Sequence, residues 1–360
     1  MIIAGVSKTI SQNKPRIQIY NGECTMRECK ICLNTTANPT IKILDDGLCN
    51  VCHEYKKYFN IKRLETELNY LKTLQSKDGK IDCMVGLSGG KDSTAMLYNL
   101  LEMGFHPLCF TFQLGYNNMD DKTAKRVQMM TKKLGVPYLI IDVHRYVGTS
   151  DRQNFNLLEN IYSKPVNDVN REVFRKLYSE GRNYYSTKND IVFPFIRPCQ
   201  ICRKIAIRAY YHEAVKRNIR IVFLGINEWA SYSKSQFSAI RVIRPKQNDR
   251  NVLIVHFPYL IQRKYKDLQE ILRHFDWDNK MDELDVNTGG KYCLLARACE
   301  KKAGELLGFH IDSMRLSREI TVGFISKEQA LAAIKDGYRD SERSLQEVLE
   351  LSGLCDKRDN

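Results

Sequence analysis

Two groups of residues have types and spacings that could do chemistry. The first is Ser88-Gly89-Gly90-Lys91-Asp92-Ser93, set between the apolar run IDCMVGL and the helix-like stretch STAMLYNLLEMG. A strand that turns through glycines into a helix makes an anion site. The glycines let the backbone approach phosphate oxygens, and the helix N-terminus offers N–H groups and a positive dipole end. Ser88 and Ser93 add hydroxyl donors, and Lys91 is a partner for phosphate charge. Asp92 would be repelled by phosphate unless a divalent ion lay between them, so it is a candidate Mg²⁺ ligand. The plain alternative is a tight turn that needs glycines and holds nothing. The second group is Cys29, Cys32, Cys49 and Cys52, spaced C-x2-C-x16-C-x2-C. Two such knuckles present four thiolates tetrahedrally, which suits structural Zn²⁺, and four protein ligands leave no open position for catalysis. A piece this short has no core of its own and needs such a staple. Cys24 is a substitute ligand at poorer spacing, and an iron–sulfur cluster or unmetallated thiols are the rival readings.

A second pair, Cys199 and Cys202 in PFIRPCQICRK, stands just before a predicted helix. A helix N-terminus with Arg197, Arg203 and Lys204 nearby is expected to lower thiol pKa. Three readings stay open: a structural or substrate-pocket feature, a reactive pair carrying sulfur as a persulfide, or a metal site completed by Cys293, Cys299 or His212. Cys83 and Cys109 fall in predicted strands and read as small core residues. Cys293 and Cys299 flank a predicted helix, and Cys355 lies in a polar tail. No G-x-S-x-G elbow, Ser-His-Asp or Cys-His triad, or histidine metal motif is recognisable.

The elements that must position these groups can be read from periodicity. Residues 1–23 read as an arm, 24–55 as the four-cysteine, zinc-ribbon-like module and 56–80 as a connecting helix. From residue 81 the pattern alternates: IDCMVGL, PLCFTFQLG, VPYLIIDV and IRIVFLGIN as strands, with helices between them closed by Gly104 and Gly135. That alternation predicts an α/β fold with a doubly wound parallel sheet over residues 81–260. Residues 144–200 read as a helical insertion, IVHFPYLI as a last strand, and 261–360 as a mainly helical region with YKDLQEILRHF and SKEQALAAIKDG as its clearest pieces.

With 43% hydrophobic and 27% charged residues the chain reads as an ordinary globular protein. It has no run of eighteen apolar residues and no signal-peptide pattern, so no membrane span and a cytoplasmic location are expected. The net charge of +14 fits a nucleic-acid partner, a nucleotide-linked substrate, or simply a Lys- and Asn-rich composition.

The common P-loop has four residues between its first glycine and its Gly-Lys pair; SGGKDS does not. It resembles the motif of the PP-loop ATP pyrophosphatases. That resemblance implies a HUP-like sheet and a β,γ-diphosphate of ATP held with Mg²⁺ by Ser88–Ser93. It also implies adenylation of a substrate oxygen, release of pyrophosphate and displacement of AMP by ammonia or sulfur. By the same resemblance the adenine site falls on Phe110–Gly115. A glycine turn near the α-phosphate falls on LGINEW, with Gly225 as the chief candidate and Asn227 and Glu228 as lesser ones. The cysteine knuckles, the Asn-Pro-Thr-Ile and Asp-Asp-Gly stretches, the following helix and SGGKDS together resemble the N-acetyl sugar amidotransferases of surface-polysaccharide (lipopolysaccharide) and nonulosonic acid biosynthesis. Ser317–Lys335 resembles that family's basic loop and helix more loosely, and residues 144–198 depart most.

The expected function is therefore an ATP-dependent amidotransferase (a carbon–nitrogen ligase). It acts on an N-acetyl sugar or sugar nucleotide and takes ammonia from a separate glutaminase subunit, since no glutaminase domain is recognisable. Lys91, Asp92 and Ser93 are the expected catalytic residues, and Zn²⁺ is structural. The alternative is a tRNA sulfurtransferase that uses Cys199 and Cys202. A third reading, a zinc-ribbon scaffold that binds ATP without turnover, is disfavoured by the intact SGGKDS.

Overall fold

The computed structural model describes residues 26–113, 121–184, 191–265, 286–291 and 293–354. Six strands form one sheet: β1 (Cys83–Gly86), β2 (Pro107–Gln113), β3 (Tyr138–Asp142), β4 (Ile221–Leu224), β7 (Ile240–Ile243) and β8 (Val252–His256). Their order is β3-β2-β1-β4-β8-β7, and all neighbours are parallel except β7 against β8. A two-stranded hairpin, β5 (Ser231–Ser233) and β6 (Gln236–Ser238), precedes β7. The central strands are apolar on both faces, as parallel strands between helical layers must be.

Strand alternation sends Cys83 and Val85 into one core layer and Met84 into the other. The first layer is closed by α2 (Ile61–Lys72), α3 (Lys91–Glu102), α4 (Asp121–Lys133) and the short α8 (Phe257–Leu260). The second is closed by α7 (Pro198–Lys216). The expected doubly wound α/β sheet is present, with an antiparallel edge strand that the sequence patterns did not indicate.

Three local readings change. The expected connecting helix is two helices, α1 (Asn50–Tyr58) and α2. Cys49 caps α1 through its sulfur, and the side chain of Asn60 accepts from Lys62 N to restart the chain as α2. IVHFPYLI is strand only to His256. Phe257 then begins α8, with Pro258 in its first turn. α7 starts at Pro198, so Cys199 and Cys202 lie within its first two turns and not before the helix.

The 144–200 region carries α5 (Thr149–Ser163) and α6 (Asp168–Gly181). They build a second core with α7, α9 (Leu294–Leu307) and α12 (Leu345–Leu351). The remaining C-terminal helices are α10 (Ser313–Thr321) and α11 (Lys327–Gly337). Met314, Leu316, Ile320, Ala330 and Ala333 of these two helices share a third core with the four cysteines. The N-terminal module and the C-terminal region therefore fold on one another, although nearly 300 residues separate them in sequence. Among the described residues no helix is long and apolar enough to cross a membrane. Cys24, Gly115, Cys355 and all but the first residue of YKDLQEILRHF lie outside the described residues.

Candidate functional site

β1 ends at Gly86, and the chain reaches α3 through Leu87–Gly90. Gly89 has φ +74°, in the left-handed region that favours glycine. Gly90 is the N-cap of α3 and has no side chain to cap it, so the anion-binding end of the helix is not filled by its own chain. The loop is braced from within. Ser93 Oγ donates to Gly90 O at 2.9 Å and accepts from Ser88 N at 3.3 Å, and Gly90 N donates to Ser88 Oγ at 3.3 Å. Both serines thus hold the turn in shape. Gly225, just after β4, lies against the start of α3: a Cβ there would stand 3.5 Å from Ser93 N. Arg126 of α4 donates to Gly89 O at 3.4 Å.

Lys91 and Asp92 face a polar cavity of about 150 Å³, also lined by Asn227, Arg263, Arg315, Glu319 and Gln329. Asp92 Oδ1 accepts from Arg263 Nη2 at 3.0 Å and from the Tyr265 hydroxyl at 3.5 Å, and its Oδ2 accepts from Asn227 Nδ2 at 3.4 Å. Both carboxylate oxygens are engaged, and the nearest charge is already a cation. In this arrangement the group facing Asp92, the expected Mg²⁺ ligand, is the Arg263 guanidinium. Asn227 Oδ1, by contrast, is buried without a hydrogen-bond partner, an acceptor available to a ligand. Arg315 holds Asp312 at 2.7 Å and also pairs with Glu319.

Glu228 is buried and turns to other partners, Arg318 at 2.9 Å and Arg203 at 3.7 Å. Burial opposes its charge, but Arg318 and Arg203 outweigh burial and hold the carboxyl down at about 2. His256 Nδ1 contacts Glu228 O at 2.7 Å, and burial pushes that imidazole down to about 4.

Sequence reasoning missed Arg263, Arg315 and Gln329. They come from the end of the sheet and from the C-terminal helices, and no local motif marks them. Of the three, only Gln329 falls within Ser317–Lys335, the stretch noted above for its resemblance. Phe110, expected near adenine, is instead a core residue. It packs 5.9 Å from Tyr210 and 5.0 Å from Phe112 by ring centroids, and its carbonyl accepts from Leu87 N.

The sulfur atoms of Cys29, Cys32, Cys49 and Cys52 are buried and all lie within 4.8 Å of one another. Cys32 Sγ and Cys49 Sγ are 3.6 Å apart, near the edge of a tetrahedron with metal–sulfur bonds of about 2.3 Å. Asn34 Nδ2 donates to Cys49 Sγ at 3.3 Å and Cys49 N to Cys29 Sγ at 3.2 Å, the outer donors that thiolates need. Four thiolates cannot share so small a space without a cation, so the donor set fits a tetrahedral metal ion. Cys52 Sγ also lies 3.1 Å from Thr321 Oγ1 on α10.

Cys199 and Cys202 stand one turn apart on α7. Cys199 is reached by solvent, yet the surrounding protein pushes its thiol up to about 12, with Cys293 and Asp312 adding to burial. The expected lowering by the helix end and Arg197 is therefore reversed. Cys293, the N-cap of α9, and Cys299 within α9 both lie within electrostatic reach of Cys199. His212 is excluded as a shared ligand. It lies thirteen residues along α7 from Cys199, about 20 Å at the helical rise, and stacks on Tyr146. Among the described residues only Cys29, Cys32, Cys49 and Cys52 form a preassembled set of three or more metal-binding side chains.

Residues 82–188 match the family model described as queuosine biosynthesis protein QueC. Over 99 residues the chain is 31% identical to a tRNA-5-methyluridine(54) 2-sulfurtransferase of Pyrococcus horikoshii, covering 27% of this chain and 31% of that protein. It is 22% identical over 311 residues to an uncharacterized protein of Methanocaldococcus jannaschii, covering 84% of this chain and 91% of that one. Among solved structures it is similar to the U34-tRNA thiolase NcsA of Methanococcus maripaludis with its [4Fe-4S] cluster, at 14% identity, TM-score 0.33, and coverage of 92% of this chain and 99% of that one. A second similar structure is the NMN synthetase of Francisella tularensis, at 12% identity, TM-score 0.30, and coverage of 82% and 94%. The QueC match over the strand–SGGKDS–helix segment supports the PP-loop ATP pyrophosphatase superfamily.

Proposed function

We propose that this chain uses ATP to adenylate an oxygen of an acceptor, releases pyrophosphate, and passes the activated carbon to a nucleophile with release of AMP. The observation that carries this reading is the preformed, uncapped turn at Gly90 that opens beside Lys91 into a polar cavity. Bound ATP supplies the leaving group. The chain's own residues do the rest. The Ser88–Ser93 backbone cradles the phosphates, and Lys91 offsets the charge that develops as the acceptor oxygen bonds to the α-phosphorus and the bond to pyrophosphate breaks. Gly225 leaves room beside Ser93. Arg263 holds Asp92 away from the phosphates, and Asn227 Oδ1 offers an acceptor to the incoming substrate. The nucleophile then adds to the carbon, and the adenylated oxygen departs with AMP.

Two nucleophiles complete such a reaction. Sulfur is the one the comparisons favour, because the curated relative matched at 31% identity is named a tRNA sulfurtransferase. Cys199, Cys202, Cys293 and Cys299 would then serve as sulfur carrier or cluster ligands, and the acceptor is a tRNA base. Ammonia on an N-acetyl sugar is the second reading, with a separate glutaminase as donor. It is supported by the motif combination named above and by the Ser317–Lys335 segment, whose Glu319 and Gln329 line the cavity beside Lys91. In both readings the four-cysteine centre is a structural Zn²⁺ site.

The test is pyrophosphate release from ATP by the purified protein, with bulk tRNA plus sulfide in one arm and N-acetyl sugar nucleotides plus ammonium in the other. Release that needs tRNA and sulfide supports the sulfurtransferase; release that needs a sugar and ammonium supports the amidotransferase. ATP binding with no release in either arm would overturn the proposal.

A further inference from the structure

Arg208 holds Asp151 at 2.7 Å, Arg145 and Arg217 share Glu213, and Arg315 holds both Asp312 and Glu319. Around Glu228 more guanidiniums gather. Arg203 from α7, Arg241 from β7 and Arg318 from α10 feel the Glu228 charge, and Arg182 from just after α6 and Arg197 at the N-cap of α7 extend the group toward Arg318. The carboxylate that Arg203 and Arg318 contact there is Glu228, at 3.7 and 2.9 Å. The other guanidiniums meet neutral groups: Arg182 donates to Thr40 Oγ1, Arg241 to Ala230 O at 3.1 Å, and Arg197 lies over the Tyr178 ring. Arg318 Nε is buried with no hydrogen-bond partner. Burial, with repulsion between neighbouring cations, pushes Arg182, Arg203 and Arg241 down, while the Glu228 charge holds Arg318 up; among the described residues the cations of this group outnumber the carboxylates they contact.

Half-buried cations in excess are costly unless an anion joins them. Planar guanidiniums suit phosphate oxygens better than any other side chain. The cluster also borders the ATP site. Glu228 follows Asn227, which lines the cavity at Lys91, and Arg315 and Glu319 of the same cavity feel the Glu228 charge.

We infer that the arginines gathered around Glu228 form a second anion site, distinct from the SGGKDS loop, which holds a phosphate group of the acceptor. This rests on the adenylating function proposed above and narrows its substrate class. The acceptor is phosphate-bearing, either a sugar nucleotide or a nucleic acid, and a free N-acetyl sugar is a poor ligand. The convergence of guanidiniums from four parts of the fold gives one phosphate a fixed place, so the acceptor oxygen can be presented to the α-phosphorus.

The experiment uses the full chain in chloride buffer with its ATP site saturated by a non-hydrolysable ATP analogue. The probes are UDP-N-acetylglucosamine, N-acetylglucosamine and bulk tRNA. At least one phosphate-bearing probe is expected to bind at least about tenfold more tightly than N-acetylglucosamine. Arg203→Gln and Arg241→Gln should each weaken that probe about tenfold and leave the affinity for the ATP analogue unchanged. Loss confined to UDP-N-acetylglucosamine identifies a sugar nucleotide, and loss confined to tRNA identifies RNA. Failure of the ATP analogue to bind would sink the adenylation reading instead. If the analogue binds while neither phosphate-bearing probe binds the wild-type chain, or while both arginine variants bind as wild type, the second anion site does not exist. The wild-type arm decides the matter even if a variant fails to fold.

Discussion

Glu228→Gln tests the electrostatic reasoning most directly, because the substitution keeps shape and removes one charge. In the folded chain the carboxyl sits at about 2, against an ordinary 4.5. The difference corresponds to about 3 kcal/mol of stability at neutral pH. It is an upper figure, since Arg203 is partly solvated. The sign is that of a depressed acid: the contribution is complete above pH 4.5 and disappears as pH falls toward 2. The variant also leaves the arginines facing one another without a counter-charge, which acts in the same direction. Thermal unfolding in chloride buffer should place the variant about 4 °C below wild type at pH 7.

The gap should narrow as pH drops from 4.5 toward 3. His256 and His310 are both held down at about 4 by burial. Each adds an acid limb of its own, lost from 6.5 downward. The His310 limb is common to wild type and variant, but the Glu228 charge also raises His256, so the difference between the two curves reports Glu228 together with its hold on His256. A gap that stays constant from pH 7 to pH 3 would show that packing, not charge, carries the effect. No gap at pH 7 would refute the account of the arginine cluster.

Lys91→Ala should lower pyrophosphate release by at least about a hundredfold while circular dichroism stays native; unchanged turnover would remove Lys91 from the mechanism. Cys49→Ser should lose bound metal on elemental analysis and lower both the melting temperature and pyrophosphate release, because Cys52 touches Thr321 on the helix that carries Arg315. Full metal content in that variant would point to another ligand set. Cys202→Ser should stop sulfur transfer to tRNA but leave transfer of ammonia intact, so product analysis by mass spectrometry separates the two readings.

The sheet was legible because each strand is a short apolar run that ends at glycine or a turn, and each helix repeats at its own period. The SGGKDS loop and the four-cysteine spacing were legible because both depend on residues close together in sequence. What the sequence hid depends on long-range contact. Arg263 meets Asp92 across 171 residues, and nothing near either residue announces the pair, so Asp92 read as a metal ligand. Cys199 read as an activated thiol because its helix end and its arginine neighbours are local features. The protein enclosing it, with Cys293 and Asp312 brought in by the fold, raises the thiol and is visible only in three dimensions. Phe110 shows the same limit in another form: the strand was legible, but the contacts with Tyr210 and Phe112 that bury its ring are not local features.

The placement of α10 explains why a four-cysteine module belongs in an ATP-using chain of this kind. A parallel sheet supplies the phosphate cradle at the ends of its strands, but the opposite wall of the cavity must come from elsewhere. Here that wall carries Arg315 and Glu319, on a helix of nine residues that is too short to be stable alone. One side of the helix, through Met314, Leu316 and Ile320, packs on the cysteine module, and Thr321 reaches Cys52. Another carries Arg315, Arg318 and Glu319 to the cavity and to Glu228. A metal closing the four thiolates would thus fix the surface on which this helix rests. The centre would lie outside the cavity at Lys91 yet set the position of the cation, Arg315, that faces it.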